Sequence, residues 1–480
     1  MNKPERPAPS PPPPELMDRF AAIVGEAYAI RDAQAMQPYL VELRDRYRGK
    51  AALVLRPGST AEVSNILALA NATRTPIVPQ GGNTGLVGGQ VPYEGGNEIV
   101  VSLSRLNRIR DVDPRGNAMT VEAGVVLANA QAAAAAADRL FPLSLGAEGS
   151  CQVGGNLSTN AGGTGVLAYG NARALVLGLE VVLADGRVWD GLRSLRKDNT
   201  GYDLKDLFIG SEGTLGLITA AVLKLFPKPK EYATVVAGLT GVDRIAQLFE
   251  LAAQAGDRSL TAFEIVPRMG IDFVLRHGAQ VRDPMSETHA WYALMELSGH
   301  GAAGEAAATM QGILERALER RIIEDAAIAA SLQQRDEFWR LREQLAEVQH
   351  HEGGSIKHDV SVPIAAIPKF IAEADRIVER MIPGARPLAF GHYGDGNIHY
   401  NVSQPVGADK AAFLSRWEAL NEAVHGLVAG LGGTISAEHG IGRMKREMLP
   451  RFKSEVEMDL MRRLKAALDP NGILNPGKVL

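Results

Sequence analysis

Gln80-Gly81-Gly82-Asn83-Thr84-Gly85 is the stretch on which the reading of the fold turns. Its glycines permit positive φ and leave backbone amides bare, which is how a backbone nest holds phosphate oxygens. Upstream, residues 76–79 are extended, 63–70 carry apolar residues at helical spacing, Ser59-Thr60-Ala61-Glu62 reads as a capping box, and 51–55 is a short apolar strand. The spacing predicts a βαβ unit that delivers the chain into the loop. Downstream, strands are expected at 98–103 and 118–122, with an alanine-rich helix over 127–137. The tract 146–170 is too polar for a core and too long for an ordinary connection, so a functional loop is expected there. After strands at 177–183 and 214–226, Pro227-Lys228-Pro229 marks a domain boundary.

From Tyr232 the pattern changes. Strands near 234–239, 260–265 and 291–297 alternate with helices near 242–255 and 303–320, which predicts an α+β second domain. A helix over 336–349, a strand at 355–360 and a helix from Pro363 lead to Gly391-His392-Tyr393-Gly394-Asp395-Gly396-Asn397-Ile398-His399-Tyr400-Asn401. Residues 387–392 and 398–402 are strand-like and Gly394-Asp395-Gly396-Asn397 is turn chemistry, so a hairpin is expected. In that register His392 faces His399 within ~5 Å at Cβ, and Asn401 projects from the same face. A borderline metal such as zinc takes imidazole and carboxylate ligands, and keeps an open position when three come from protein. Glu438, in Ser436-Ala437-Glu438-His439-Gly440-Ile441-Gly442-Arg443, is the expected third ligand, leaving His439 for proton transfer. A lone histidine near a turn is usually structural. Here three of the chain's ten histidines fall in two glycine-rich loops beside an acid and an amide, which favours function.

At 480 residues the chain is too long for one ordinary core, so two or three domains are expected. With 46% hydrophobic and 22% charged residues it can bury sizeable cores, and a net charge of -4 gives no electrostatic footprint for nucleic acid. No apolar stretch reaches membrane-spanning length and the amino terminus lacks a secretory signal's apolar core, so a soluble, cytoplasmic small-molecule enzyme is expected, not an integral membrane protein. Cys151 is the sole cysteine, which excludes an internal disulfide and a protein-encoded iron–sulfur cluster. An electron relay must then be an organic cofactor or a partner. The expected division is a disordered proline-rich lead-in over 1–14, a first domain over 15–229, a second over 230–430 carrying the hairpin, and a helical carboxyl-terminal segment over 431–480.

Gly163-Thr164-Gly165-Val166-Leu167-Ala168 has the form of a dinucleotide fingerprint, but no apolar strand precedes it and Tyr169-Gly170-Asn171 follows it, so the context rejects it. Two separated glycine-rich tracts instead suit a large ligand gripped at two points. The tracts Pro79 to Leu86 and Gly155 to Gly163, with Lys197-Asp198-Asn199-Thr200-Gly201-Tyr202-Asp203-Leu204 and Gly210-Ser211-Glu212-Gly213-Thr214-Leu215-Gly216, resemble the vanillyl-alcohol-oxidase (PCMH)-type FAD domain. With the hairpin, the Glu438-His439 motif and the ending Asp469 to Lys478, the chain resembles the D-2-hydroxyglutarate and D-lactate dehydrogenase branch of those enzymes throughout, the proline-rich start excepted. The resemblance implies an α+β fold: a two-subdomain FAD domain, then an α+β substrate domain with an antiparallel sheet and a helical carboxyl-terminal segment.

It also implies roles. Gln80, Gly81, Gly82, Asn83, Thr84 and Gly85 would wrap the FAD pyrophosphate, and Ser150, Gly155, Asn156, Thr159, Asn160, Gly162 and Gly163 would line the flavin. Ile218 would contact the adenine side, and Asn475 would return to the flavin domain. The first loop contains no histidine to tether the flavin, so FAD is expected to be non-covalent. A divalent metal on His392, His399 and Glu438, zinc or else manganese or cobalt, would lower the substrate hydroxyl's pKa, with His439 accepting the proton and flavin the hydride. Arg342 and Lys357 would hold substrate carboxylate and Asn401 would donate to it. A hydroxyl often found one helical turn after the arginine is replaced by Ala346.

The expected substrate is a small D-2-hydroxy acid, D-2-hydroxyglutarate first, with D-malate or D-lactate as alternatives. The expected acceptor is an electron-transfer flavoprotein or a quinone, and a homodimer is the expected assembly. A non-redox flavoenzyme of the alkyl-glycerone-phosphate-synthase kind is the rival.

Overall fold

The computed structural model describes residues 11–480, the side chain of Arg258 excepted. Of the lead-in expected over 1–14, residues 1–10 lie outside the described residues, and Pro14 already opens a helix, Pro14–Val24. The chain forms two compact units. The first takes the described residues up to Gly162, then Asn171–Pro227 and Glu438–Leu480; the second takes Gly163–Gly170 and Lys228–Ala437.

The first unit holds two sheets. In the four-stranded one, Glu98–Ser102 is the central parallel strand, with Ala51–Leu55 on one side and Ile77–Gln80 on the other. The expected strand–helix–strand unit is present, but its strands flank a third one instead of pairing with each other. The helix between them, Thr60–Thr73, starts where Ser59 accepts the Glu62 N–H at 3.2 Å, and the Glu62 carboxylate reaches the Gly58 N–H at 2.8 Å. Val63, Ile66, Leu67 and Ala70 bury its apolar face against Leu53, Leu55, Ile99 and Val101. Each such fully buried Leu or Ile contributes roughly 1.5–3 kcal/mol. The carboxyl terminus adds to the same sheet, because Ile77 N–H donates to the Ile473 carbonyl and Asn475 N–H to the Ile77 carbonyl, both at 2.8 Å. The second sheet is antiparallel, in the order Ile109–Asp113, Ala118–Glu122, Leu217–Lys224, Val176–Val182, Val188–Gly191.

The tract read as one long polar loop is not one. Val153–Ser158 is a helix, because Val153 and Leu157, four residues apart, form a buried apolar edge amid the polar residues. Gly163–Gly170 belongs to the second unit, where Leu167 packs on the core and under Gly394.

The second unit is built on a seven-stranded antiparallel sheet, in the order Asp325–Ile328, Glu231–Leu239, Trp291–Gly299, Leu260–Pro267, Arg386–His392, Asn397–Ser403, Ser355–Ser361. Alternate residues point to opposite faces. Val235, Phe263, Ile265, Met295, Ile398 and Tyr400 pack with helices Val242–Gly256, Glu305–Glu319, Ile367–Met381 and Trp417–Gly430. On the other face Ala262, Val266, Leu294, Leu388 and Phe390 pack with helices Arg268–His277 and Leu332–Glu343. Glu264 stands between Ala262 and Val266, so it is a carboxylate planted in that second, apolar face.

Candidate functional site

The first unit carries a cleft at the end of the Ile77–Gln80 strand. Gln80, Gly81, Gly82, Asn83, Thr84, Gly85, Gly155, Asn156, Thr159, Ile218 and Asn475 line it, together with Gln152, Glu212 and His439. Ser150, Asn160, Gly162 and Gly163, also expected there, are not on its wall. The Ser150 carbonyl instead backs Gly82, where an added Cβ would sit 2.1 Å from it, and Asn160 accepts the Arg173 backbone N–H at 3.0 Å.

The loop is stitched from outside. Gln80 donates to the Tyr39 and Gln90 carbonyls, at 2.9 and 3.0 Å, and Asn83, at φ 56°, donates to the Pro38 and Val41 carbonyls, at 2.9 and 2.8 Å. Among the described residues no backbone N–H from Gly81 to Gly85 has a protein acceptor. Gln80 Oε1, Asn83 Oδ1, Gln152 Oε1 and Asn475 Oδ1 are buried without a donor. Five bare amides in a row suit a pyrophosphate, and four unpaired amide oxygens suit hydroxyl and ring N–H groups, so the cleft fits a flavin nucleotide.

The second unit carries the predicted hairpin, with its register shifted. Phe390, not His392, opposes His399, and the strand runs on past the hairpin until His392 pairs with Glu264. The cause is the connection: Tyr393–Asp395 is a 3-10 turn, and Gly391 takes φ 128° and Gly396 φ 88°. A shift of two residues preserves the face, so the imidazoles still meet, ring centroids 5.5 Å apart. His392 Nδ1 bonds Glu264 Oε1 at 2.6 Å and Arg342 Nε donates to Glu264 Oε2 at 2.6 Å. The Arg342 guanidinium also lies 5.0 Å over the Phe390 ring. Burial pushes the Glu264 carboxyl up, but the His392 imidazole and the Arg342 guanidinium outweigh it and hold it at about 2.

Asn401 lies directly opposite Lys357, and Asp359 opposite His399. One N–H of the Asn401 amide goes to Gln349 Oε1 at 2.8 Å, and Lys357 Nζ donates to the Ala346 carbonyl at 3.3 Å. His392, His399, Asn401, Lys357 and Arg342 thus come together around one sheet face. Ala437 donates to the Asp359 carbonyl at 3.4 Å, so the residue before Glu438 is tied to that sheet as well. A carboxylate on one imidazole nitrogen is the arrangement that orients a histidine for a metal on the other, so the donor set fits a divalent cation.

Sequence reasoning missed Glu264, Gln349 and Glu212. No spacing points to Glu264, 128 residues before His392.

A model of the FAD binding domain matches residues 51–191, and one described as "FAD linked oxidases, C-terminal domain" matches residues 228–479. The chain belongs to the FAD-linked oxidases. Along 469 residues this FAD-linked oxidase is 39% identical to the probable mitochondrial D-2-hydroxyglutarate dehydrogenase of Oryza sativa subsp. indica, across 96% of this chain and 81% of that one. It is 38% identical over 434 residues to the D-2-hydroxyglutarate dehydrogenase of Xanthomonas citri pv. viticola, across 90% of each. The solved structure of p-cresol methylhydroxylase with substrate bound superposes with a TM-score of 0.76 at 16% identity, across 97% of this chain and 96% of that one. The expected α+β, PCMH-type fold and the family read from the glycine tracts are both borne out. Among the described residues no helix is long and apolar enough to cross a membrane.

Proposed function

We propose that this FAD-linked oxidase is a dehydrogenase that converts D-2-hydroxyglutarate to the 2-oxo acid. The observation that carries the reading is the polar cluster of the second unit, where two imidazoles, Asn401, Lys357 and Arg342 stand together with Glu264 and Asp359 around one sheet face. Such a set suits a small acid bearing carboxylate and hydroxyl. It comes with relatives named for that substrate.

FAD held non-covalently at Gln80–Gly85, Gly155, Asn156, Thr159, Ile218 and Asn475 supplies the hydride acceptor. A divalent cation, zinc by donor preference, would be held by His392, His399 and Glu438, and supplies charge that acidifies the substrate hydroxyl. Arg342, fixed through Glu264, presents its remaining N–H groups to one carboxylate, and Lys357 supplies a point charge. The second N–H of Asn401 donates to substrate oxygen. An imidazole nitrogen of His439 takes the hydroxyl proton. Ala346 offers no hydroxyl, which keeps D-malate and D-lactate as competing acids.

The reading further assigns an electron-transfer flavoprotein or a quinone as acceptor, a cytoplasmic location and a homodimer. Anaerobic mixing of the FAD-loaded, metal-replete protein with D- and L-2-hydroxyglutarate, D-malate and D-lactate tests it. Rapid loss of the flavin's visible absorption with D-2-hydroxyglutarate above all others is expected; reduction by none of them would overturn the reading.

A further inference from the structure

We infer that Glu212 is the positioning residue for the proposed base: its carboxylate fixes the backbone of the turn that carries His439 at the flavin cleft. The inference rests on the reading of His439 as the proton acceptor. Glu212 and His439 line the same cleft of the first unit. Both carboxylate oxygens are committed, Oε1 to the Ile441 N–H at 2.7 Å and Oε2 to the Gly442 N–H at 2.8 Å. These amides are two and three residues past His439.

The turn fits nothing larger. Gly440 takes φ 82°, and an added Cβ would lie 2.8 Å from Glu212 Oε1. Gly442 takes φ 52°, where a Cβ would lie 2.4 Å from the Val87 carbonyl, which itself accepts the Arg443 and Met444 N–H groups at 2.9 and 3.1 Å. Glu212 is held in turn. Its N–H donates to the Ser158 carbonyl at 2.8 Å, and its own carbonyl accepts from Asn475 Nδ2 at 2.9 Å. The staple therefore runs from the flavin-lining helix Val153–Ser158, through Glu212, to the backbone just past the proposed base.

The chemistry singles out a carboxylate. Two convergent N–H donors need two acceptor atoms on one short side chain, and an ionised carboxylate offers both. Glutamine has the same shape but only one acceptor oxygen, so its NH₂ would meet the second N–H donor to donor. Burying an acid is costly unless its hydrogen bonds return the loss, and an apolar residue would fill this space without that cost. What an apolar residue cannot do is hold the turn at two points.

The test is a double-mutant cycle on the FAD-loaded holoenzyme, read as the limiting rate of anaerobic flavin reduction by D-2-hydroxyglutarate and as substrate Kd. Glu212→Gln is expected to slow reduction by roughly 10–100-fold, the loss typical of a reacting group displaced by about 1 Å, with FAD content and substrate Kd unchanged. In a His439→Ala background the same change should cost less than about two-fold, because there is no base left to misplace. Gly440→Ala, which disturbs the same bond while keeping the carboxylate, should reproduce the rate loss and keeps the test open if Glu212→Gln fails to fold. A Glu212→Gln rate within about two-fold of the parent, or an equal loss in both backgrounds, would overturn the inference. A His439→Ala protein that reduces at the parent rate would instead overturn the base assignment itself.

Discussion

Two buried glutamates, one in each unit, show how partners rather than burial set what a carboxylate does. Glu212 is 9% exposed and Glu264 1%. Burial pushes Glu212 up to about 7, against the pull of the Ile441 and Gly442 amides and of Lys445. Glu264 pays the same desolvation and still ends at about 2, because a guanidinium and an imidazole stand where Glu212 has backbone dipoles. The first holds a backbone turn; the second orients side chains.

Mutation should separate the two acids. Glu264→Ala leaves Arg342 buried without its anion and is expected to cost about 3–5 kcal/mol in denaturant unfolding. Its loss should also weaken binding of the proposed cation about 10–100-fold in a chelator competition, since His392 loses the carboxylate that orients it. Glu212→Gln should cost less, about 1–3 kcal/mol, because one of the Ile441 and Gly442 N–H groups loses its acceptor while a charge that burial disfavours is removed with it. Equal losses at both positions would erase the distinction.

Smaller effects sharpen it. Gly82→Ala drives a Cβ to 2.1 Å from the Ser150 carbonyl and is expected to cost about 1–3 kcal/mol and to raise the FAD Kd, measured by fluorescence titration. The pH dependence of unfolding separates the two acids by sign. For Glu264 the folded pKa is depressed, so its contribution is complete above about pH 4.5 and is lost as pH falls towards about 2. For Glu212 it is raised, so the contribution is complete below about pH 4.5 and is lost as pH rises through about 7. Unfolding of the metal-free parent against each glutamine variant, across that range, should show the two slopes running opposite ways.

How far the molecule was legible in its sequence follows the same divide. The flavin cleft is made of backbone, and backbone geometry is written locally in residues such as Gly81, Gly82 and Asn83. The hairpin was legible for the same reason, from two strand patterns and a turn. Its register was not, because Gly391 and the turn at Tyr393–Asp395 shift the pairing by two residues. Helix Val153–Ser158 was hidden by glycines and polar residues around one buried Val–Leu edge. Glu264 was beyond reach: it meets His392 only through strand pairing across 128 residues, and no local pattern records that contact. Glu212 sat inside a quoted motif, but its amide partners lie more than two hundred positions away.

The proposed function makes a cation on the second unit necessary for reduction of the flavin by D-2-hydroxyglutarate. The most direct test is anaerobic flavin reduction by D-2-hydroxyglutarate in the same sample before chelation, after EDTA, and after zinc is restored. Fast reduction, then loss of about 10²-fold or more with the flavin still bound, then recovery is the expected sequence. Reduction that proceeds at an unchanged rate in the fully metal-stripped protein would contradict it.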